Sequence, residues 1–193
     1  MMLPESVPVS LIRQYLFCPR IPWHMRAGTP VASPLWVRQG VEHHQRQRRL
    51  TRPRKLKRLG LEDAERRFEV ALESERLGLH GVVDLVLSTP GEVVPVEFKI
   101  QDAPPTRAIR LQLLAYGLLA EEAYNLPFER GLVIAGTRSR TYPVPGTDSL
   151  KEELFRYLAS LRRDQASPVL PPSDAQENKC TQCEYLASCN DRF

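Results

Sequence analysis

Apolar side chains recur every three or four residues in several segments of the chain, as they do in helices with one buried face. Ser10 is expected to cap a helix that stops at Cys18-Pro19, because proline disfavours helical geometry in the residue before it. Ser33-Pro34 is a favourable helix start. The spacing predicts four helices, which cover Ser10–Phe17, Ser33 to about Thr51, Arg107–Tyr124 and Leu150–Leu161.

The hydrophobic period changes to that of β-strands in the middle of the chain. Phe68–Leu72 alternates apolar and polar residues, as a half-exposed strand does. Val82–Leu87 and Val93–Ile100 are mostly apolar and rich in valine, as are strands covered on both faces. Turn-forming residues at Thr89–Glu92 separate these two strands, and Gly131–Gly136 is predicted to form another.

The amino-acid composition limits the classes of protein to which the chain can belong. The chain has 193 residues, of which 42% are apolar and 26% charged, as in an ordinary globular domain. The sequence contains no internal repeat and no second hydrophobic core. We therefore expect one mixed α/β domain over residues 1–193, with a central sheet flanked by helices. No run of about 18 apolar residues could cross a bilayer, and Met1–Ser10 lacks the layout of a secretory signal. We therefore expect a cytoplasmic protein with no membrane partner.

The positive charge of the chain is concentrated in one segment, Gln45–Arg58. The sequence has 27 Lys and Arg against 23 acidic residues, and the balance becomes negative without this segment. Such a dense run is typical of surfaces that bind polyanions, most often nucleic acid, although a solvated helix face is an equally good interpretation. The candidate DNA-binding residues are Arg46, Arg48, Arg49, Arg52, Arg54, Lys55, Lys57 and Arg58.

Three charged residues interrupt the two apolar strands. A hairpin centred on Pro90-Gly91 would place Asp84 directly opposite Glu97, with Cβ atoms about 4.5–5.5 Å apart. Lys99 points to the same side as Glu97 because strand side chains alternate. Two facing carboxylates can hold a divalent cation, but an internal salt bridge from Lys99 to either acid is an equally good interpretation.

Other polar residues could join this site. His44 could supply an imidazole ligand, and the adjacent His43 leaves the choice between the two open. Gln112 and Tyr116 are four residues apart and share a face of the predicted helix, where an amide and a phenol could orient substrate or water.

Pro95 is unusual in a central strand and indicates an edge position or a bulge.

The four cysteines lie near the two ends of the chain. Cys180, Cys183 and Cys189 fall within ten residues, and Cys18 is the only other cysteine. In a reducing compartment this spacing indicates a metal site rather than disulfides, and four thiolates complete either a tetrahedral zinc or a cubane iron–sulfur site. Spacing alone favours zinc. Either metal would staple the N-terminal segment to the C-terminal one.

Several motifs occur together in a fixed order. The sequence has GVEHH at 40–44, GVVD at 81–84, VEFK at 96–99 and QLLAY at 112–116, with YLFCPR at 15–20 and C-x2-C-x5-C at 180–189. This order resembles the RecB-like branch of the PD-(D/E)xK nucleases, in particular its iron–sulfur members. In a chain this short it is similar to the CRISPR-associated exonuclease family that nomenclature numbers fourth, and the resemblance spans almost the whole chain.

The resemblance implies a restriction-endonuclease-like core at about residues 33–165. The family's divalent metal, Mg²⁺ or Mn²⁺, would be held by His44, Asp84, Glu97 and the backbone carbonyl of Phe98. Lys99 would position and polarise the attacking water. Gln112 and Tyr116 would support the substrate.

The resemblance also implies a [4Fe-4S] cluster, which reverses the preference for zinc. Its ligands would be Cys18, Cys180, Cys183 and Cys189, in segments at about 10–25 and 175–193. The family cuts single-stranded or frayed DNA ends, as a 5′-to-3′ exonuclease with endonuclease activity left open, for the CRISPR integrase complex. Two alternatives are a DNA-repair nuclease of the same superfamily and a metal-stapled DNA-binding module without catalysis.

Overall fold

A six-stranded mixed sheet forms the centre of the fold. The computed structural model describes residues 6–31, 57, 59–174 and 177–189, and elements are numbered within those ranges. The strands are β1 (Val7–Pro8), β2 (Glu65–Ser74), β3 (Leu79–Ser88), β4 (Val93–Lys99), β5 (Arg130–Ala135) and β6 (Arg140–Pro145). The sheet order is β1-β3-β4-β5-β6, with β2 paired to β3. The predicted mixed α/β class is confirmed.

Six helices accompany the sheet in the described ranges. They are α1 (Ser10–Phe17), α2 (Arg20–Arg26), α3 (Arg107–Tyr124), α4 (Asp148–Ala166), α5 (Glu177–Cys180) and α6 (Leu186–Cys189). The hydroxyls of Thr106 and Thr147 cap α3 and α4 by accepting from backbone N–H groups in the first turn. The helix predicted from Ser33 to about Thr51 lies outside the described residues.

The β3–β4 hairpin has the predicted register. Thr89 closes its turn: its N–H donates to the carbonyl of Glu92 at 3.0 Å, and its hydroxyl accepts from the N–H of the same residue. Leu85 faces Val96 across the ladder. Pro95 nevertheless lies in an interior strand, so the prediction of an edge was wrong. The parallel ladder from β4 to β5 begins at the next residue, so the proline has a ladder partner on only one side.

The helix α3 packs against the sheet and provides much of the core. Ten consecutive residues, 111–120, are buried, because one side of α3 contacts the sheet and the other contacts α1 and α4. Gly117 permits this packing, since a Cβ at that position would lie 2.1 Å from the ring of Phe128. The core therefore extends from the N-terminal helix across the sheet, which fixes α1 beside the strands that carry the charged residues.

Three details of the N-terminal region and one of the sheet differ from the sequence prediction. Ser10 does not cap α1; it is the first helical residue, and Val9 occupies the cap position without a side-chain hydrogen bond. Pro19 stops α1 but also begins α2, which the prediction missed, because proline suits the start of a helix. The short strands β1 and β6 were not predicted either.

Candidate functional site

The motif Gly81-Val-Val-Asp84 lies on a stretch of β3 where one edge has no partner among the described strands. The strand β2 pairs along one edge of β3 except at Asp84, and β1 and β4 share the other edge. On that shared edge the β1 ladder ends at His80 and the β4 ladder begins at Leu85. Residues 81–84 therefore face a gap between two strands, where side chains from elsewhere can reach the backbone.

Asp84 occupies the β4 end of this gap. Its Oδ2 accepts the backbone N–H of Phe98 at 2.8 Å. The register that pairs Leu85 with Val96 brings Glu97 to the position across from Asp84, as the sequence predicted. A side-chain carboxylate thus bonds to the β4 backbone just beyond the end of the ladder, and it holds Asp84 beside the Glu97-Phe98-Lys99 segment.

Glu97 and Lys99 form a buried ion pair. The Nζ of Lys99 donates to Oε1 of Glu97 at 2.6 Å, and the side chains are 17% and 7% exposed respectively. Burial raises the pKa of Glu97, the ammonium of Lys99 opposes that shift, and the nearby charge of Asp84 adds to it. The salt bridge that the sequence offered as an alternative is therefore present, near a second carboxylate whose charge acts on Glu97.

The backbone of β2 deviates beside Asp84 as well. Phe68 pairs with Leu85 and Val70 with Val83, so Glu69 lies across from Asp84 in this register. Glu69 has a φ of 52°, in the left-handed region that non-glycine residues seldom adopt. Both neighbours of β3 thus depart from regular pairing at the same point, and such irregularity is commonly concentrated at functional sites.

Gln112 and Tyr116 reach the same gap from α3. Both side chains are buried, and the side-chain amide of Gln112 acts on the Tyr116 phenol, where it lowers the pKa against the effect of burial. The Tyr116 ring lies against Gly81, where an added Cβ would be 3.0 Å from Cε1 and 3.3 Å from the phenolic oxygen. Burial and then the charge of Glu97 raise the pKa of Tyr116, so its hydroxyl stays protonated at neutral pH. The Oε1 of Gln112 is buried with no hydrogen-bond partner in the described part of the chain.

Arg13 is a charged residue beside the gap that the sequence interpretation missed. Val9 begins α1 against Gly81, and Arg13 lies one helical turn later on the same face as Val9. Its positive charge acts on Glu97 and on Tyr116, opposing the effect of burial on the pKa of each. Among the described residues it has no hydrogen bond or ion pair. The Arg13 guanidinium therefore lies near Glu97 and the Tyr116 phenol.

Other predicted site residues lie outside the described ranges. These are His44, with its alternative His43, and every member of the basic run except Lys57, which is exposed. Within the described ranges, no group of three His, Cys, Asp or Glu side chains is arranged as a metal site. The structure thus brings together Asp84, Glu97, Lys99, Gln112 and Tyr116, and it leaves the proposed histidine ligand untested.

The four cysteines converge although they come from both ends of the described chain. One follows α1, two end the short helices α5 and α6, and the fourth lies between those helices. Burial raises the pKa of the Cys183 thiol, and the charges of the other three cysteines add to that shift. One cavity is lined by all four cysteines together with residues of α2. The four cysteines are Cys18, Cys180, Cys183 and Cys189.

Hydrogen bonds across the two terminal segments hold this arrangement. Tyr15 of α1 donates to Oδ2 of Asp164 at 2.6 Å, and Lys179 of α5 donates to the carbonyl of Phe17 at 3.2 Å. Arg20 donates to Sγ of Cys189 at 3.4 Å. The segments that carry the cysteines are thus in direct contact.

Comparison with known proteins agrees with this arrangement. Residues 10–190 match the sequence profile of the PD-(D/E)XK nuclease superfamily. A protein of Francisella tularensis subsp. novicida named CRISPR-associated exonuclease Cas4 is 37% identical over 188 residues, 97% of this chain and 95% of that protein. The chain belongs to the Cas4 family of PD-(D/E)XK nucleases.

Two further comparisons concern a fused relative and a solved structure of similar fold. A Cas4/endonuclease Cas1 fusion of Rhodospirillum rubrum is 30% identical to 95% of this chain, which matches 33% of the fusion's length. The crystal structure of SSO0001 matches the fold with a TM-score of 0.59 at 17% identity, over 100% of this chain and 89% of that one. No helix in the described part of the chain is long and apolar enough to cross a membrane.

Proposed function

We propose that this Cas4-family chain is a divalent-metal-dependent deoxyribonuclease that processes DNA ends for CRISPR spacer acquisition. The observation that carries the proposal is the convergence of Asp84, Glu97 and Lys99 at the gap in the sheet. A buried acid beside a second carboxylate is costly unless a cation balances it. Lys99 supplies one such cation, and the donor set of carboxylate oxygens suits Mg²⁺ or Mn²⁺.

The residues that would hold the metal are Asp84, Glu97, the backbone carbonyl of Phe98 and His44. When bound, the metal ion lowers the pKa of a water molecule and neutralises charge on the phosphate. Lys99 is the residue that positions and polarises the attacking water and stabilises charge on the transferred phosphate. Cleavage that leaves a 5′-phosphate and proceeds from the 5′ end is part of the proposal.

Gln112 and Tyr116 would hold the substrate beside the carboxylates. The protonated Tyr116 hydroxyl is a hydrogen-bond donor, and the side-chain amide of Gln112 acts on the same phenol from the preceding turn of α3. Arg13 adds a guanidinium group to the substrate-binding surface of Gln112 and Tyr116. The planar donors of a guanidinium match the oxygens of a phosphate. We assign it to a phosphate of the bound DNA strand.

The basic run of residues 45–58 would bind the DNA backbone, either single strands or frayed ends. Contacts of this kind carry no sequence information and weaken steeply with salt. The fused arrangement of a relative with an endonuclease named Cas1 supports a partnership with the CRISPR integrase. A cytoplasmic location, where that partner and reduced thiols would be found, belongs to the same proposal.

The four cysteines would hold a [4Fe-4S] cluster. Their donor chemistry fits, since four thiolates from one cavity complete a cubane. The cluster would join segments 10–25 and 175–193 to a catalytic core at about 33–165, so that residues 1–193 act as one domain. Cluster binding would also offset the repulsion among four thiolates.

The test begins with anaerobic purification, metal analysis and DNA digestion. Strands labelled at either end are incubated with Mg²⁺, Mn²⁺ or chelator, using wild type, Lys99→Ala and the control Lys151→Ala on α4. We expect metal-dependent cleavage that Lys99→Ala abolishes while DNA binding persists. Cleavage that survives chelation or Lys99→Ala would refute the site. A wild type that binds DNA but never cuts it would favour the non-catalytic module.

A further inference from the structure

His24 is a buried histidine on α2 whose two ring nitrogens differ in their surroundings. The residue is 5% exposed. Its Nδ1 lies 3.2 Å from the hydroxyl of Thr29, whereas its Nε2 is buried with no hydrogen-bond partner in the described part of the chain. An unsatisfied buried polar atom destabilises the folded state, so each one requires an explanation.

The ring of His24 lines the cavity that the four cysteines share. It stacks on Tyr185, with centroids 5.1 Å apart and planes 13° apart, and Tyr185 lies between Cys183 and Cys189 in the chain. One turn earlier on α2, Arg20 donates to the sulfur of Cys189. The helix α2 thus presents two nitrogen-bearing side chains to the cysteines from one face.

Sulfur chemistry determines which tautomer of His24 suits this position. Thiolate and sulfide atoms accept hydrogen bonds and do not donate them. The hydroxyl of Thr29 can donate to Nδ1, and the ring proton then resides on Nε2. In that tautomer Nε2 becomes a donor for a sulfur acceptor, and its burial has a physical reason.

We propose that His24 donates a hydrogen bond from Nε2 to a sulfur of the iron–sulfur cluster and, with Arg20, raises the reduction potential of that cluster. The inference rests on the proposed [4Fe-4S] cluster. Reduction adds negative charge, and a donor directed at sulfur stabilises the reduced state more than the oxidised one. His24 is therefore a positioning residue that tunes the cluster without binding iron.

The test compares midpoint potentials in reductive titrations followed by electron paramagnetic resonance. His24→Phe keeps a ring for Tyr185 but removes the donor, and His24→Gln restores an N–H. The control is His80→Phe, since His80 lies on β3 with its Nδ1 near Ser6. We expect His24→Phe to lower the midpoint potential of the cluster. At the wild-type midpoint the ratio of oxidised to reduced cluster should then be about tenfold higher in this variant, which corresponds to about 59 mV for one electron. We expect partial recovery in His24→Gln and no change in His80→Phe.

A His24→Phe protein with full iron content and an unchanged midpoint would overturn the proposal while the cluster itself stands. A wild type without iron would overturn the cluster and this inference together, and the digestion assay would still report on the nuclease site. If His24→Phe loses iron, the reduced wild type labelled with ¹⁵N-histidine is examined instead. A weak nitrogen coupling supports the hydrogen bond; no coupling, or one as strong as a direct iron ligand gives, contradicts it.

Discussion

Asp84 accepts the backbone N–H of Phe98 at 2.8 Å, although the two residues belong to different strands and are 14 positions apart in the chain. The bond lies just beyond the β3–β4 ladder, which ends at Leu85. The carboxylate therefore has a structural role beside its proposed role as a metal ligand, since Oδ2 fixes the β4 backbone. Stability and catalysis can therefore be separated at this residue.

Asp84→Asn and Asp84→Ala should differ in stability but not in activity. The asparagine keeps an oxygen that can accept the Phe98 N–H, whereas alanine leaves a buried donor unsatisfied at a cost of about 1–3 kcal/mol. Both variants remove the charge, so we expect cleavage to fall about 100-fold or more in each. Urea unfolding and digestion of an end-labelled strand measure the two effects. Equal unfolding curves for the two variants would contradict a structural role for this hydrogen bond.

Gly81→Ala should impair activity through Tyr116. An added Cβ would lie 3.0 Å from the Tyr116 ring and 3.3 Å from Cβ of Val9, so the phenol must shift by a few tenths of an ångström. We expect kcat to fall about tenfold, because small displacements of positioning groups are costly. Gly91→Ala is the matched control, since nothing lies within 4 Å of its added Cβ. Equal kcat values for the two variants would show that the close approach is not needed.

Local patterns predicted the part of the site that lies on one hairpin. Asp84, Glu97 and Lys99 follow from strand alternation and a short turn, and the observed register pairs their neighbours as expected. Gln112 and Tyr116 follow from helical spacing on a long amphipathic segment, and α3 matches its predicted bounds. Such elements are predictable because the deciding interactions lie within a few residues.

Features that depend on distant contacts were not predicted. Arg13 lies near Glu97 because Val9 places α1 against Gly81, and no spacing in the sequence shows that packing. The strand Arg140–Pro145 contains two prolines, which argue against a strand, but it is an edge strand, where prolines are tolerated. Val7–Pro8 is too short to show alternation and is defined by its pairing with β3.

Arg13→Gln should weaken substrate binding more than it lowers turnover. If the guanidinium contacts one phosphate, its loss raises KM and reduces the salt slope of single-strand binding by about 0.7. Arg13→Lys keeps the charge and should recover most of the slope but not the bidentate contact. Arg76→Gln is the control, since Arg76 is an exposed arginine whose pairing with Glu122 lies away from the gap. A slope identical to wild type in Arg13→Gln would exclude the phosphate contact.

Tyr15 should make the stability of the protein sensitive to alkaline pH. Burial, then its hydrogen bond to Asp164 and the charge of that carboxylate, raise the pKa of Tyr15 above its ordinary value of 10.0. Because the folded pKa exceeds the unfolded one, the stabilisation is complete below about pH 10 and is lost as pH rises toward the folded pKa. The bond joins α1 to α4, so its loss loosens the segment that carries Arg13 and Cys18.

Tyr15→Phe removes the titrating group and the hydrogen bond together. Near pH 8 we expect the variant to be less stable by about 1–2 kcal/mol, since hydrogen bonds to charged acceptors are among the stronger ones. Above pH 10 the wild type loses stability faster, so the difference between the two proteins should narrow. Anaerobic urea unfolding at pH 8 and pH 10.5 measures this, with Tyr157→Phe as the control on α4. A difference that stays constant with pH would place the alkaline sensitivity elsewhere.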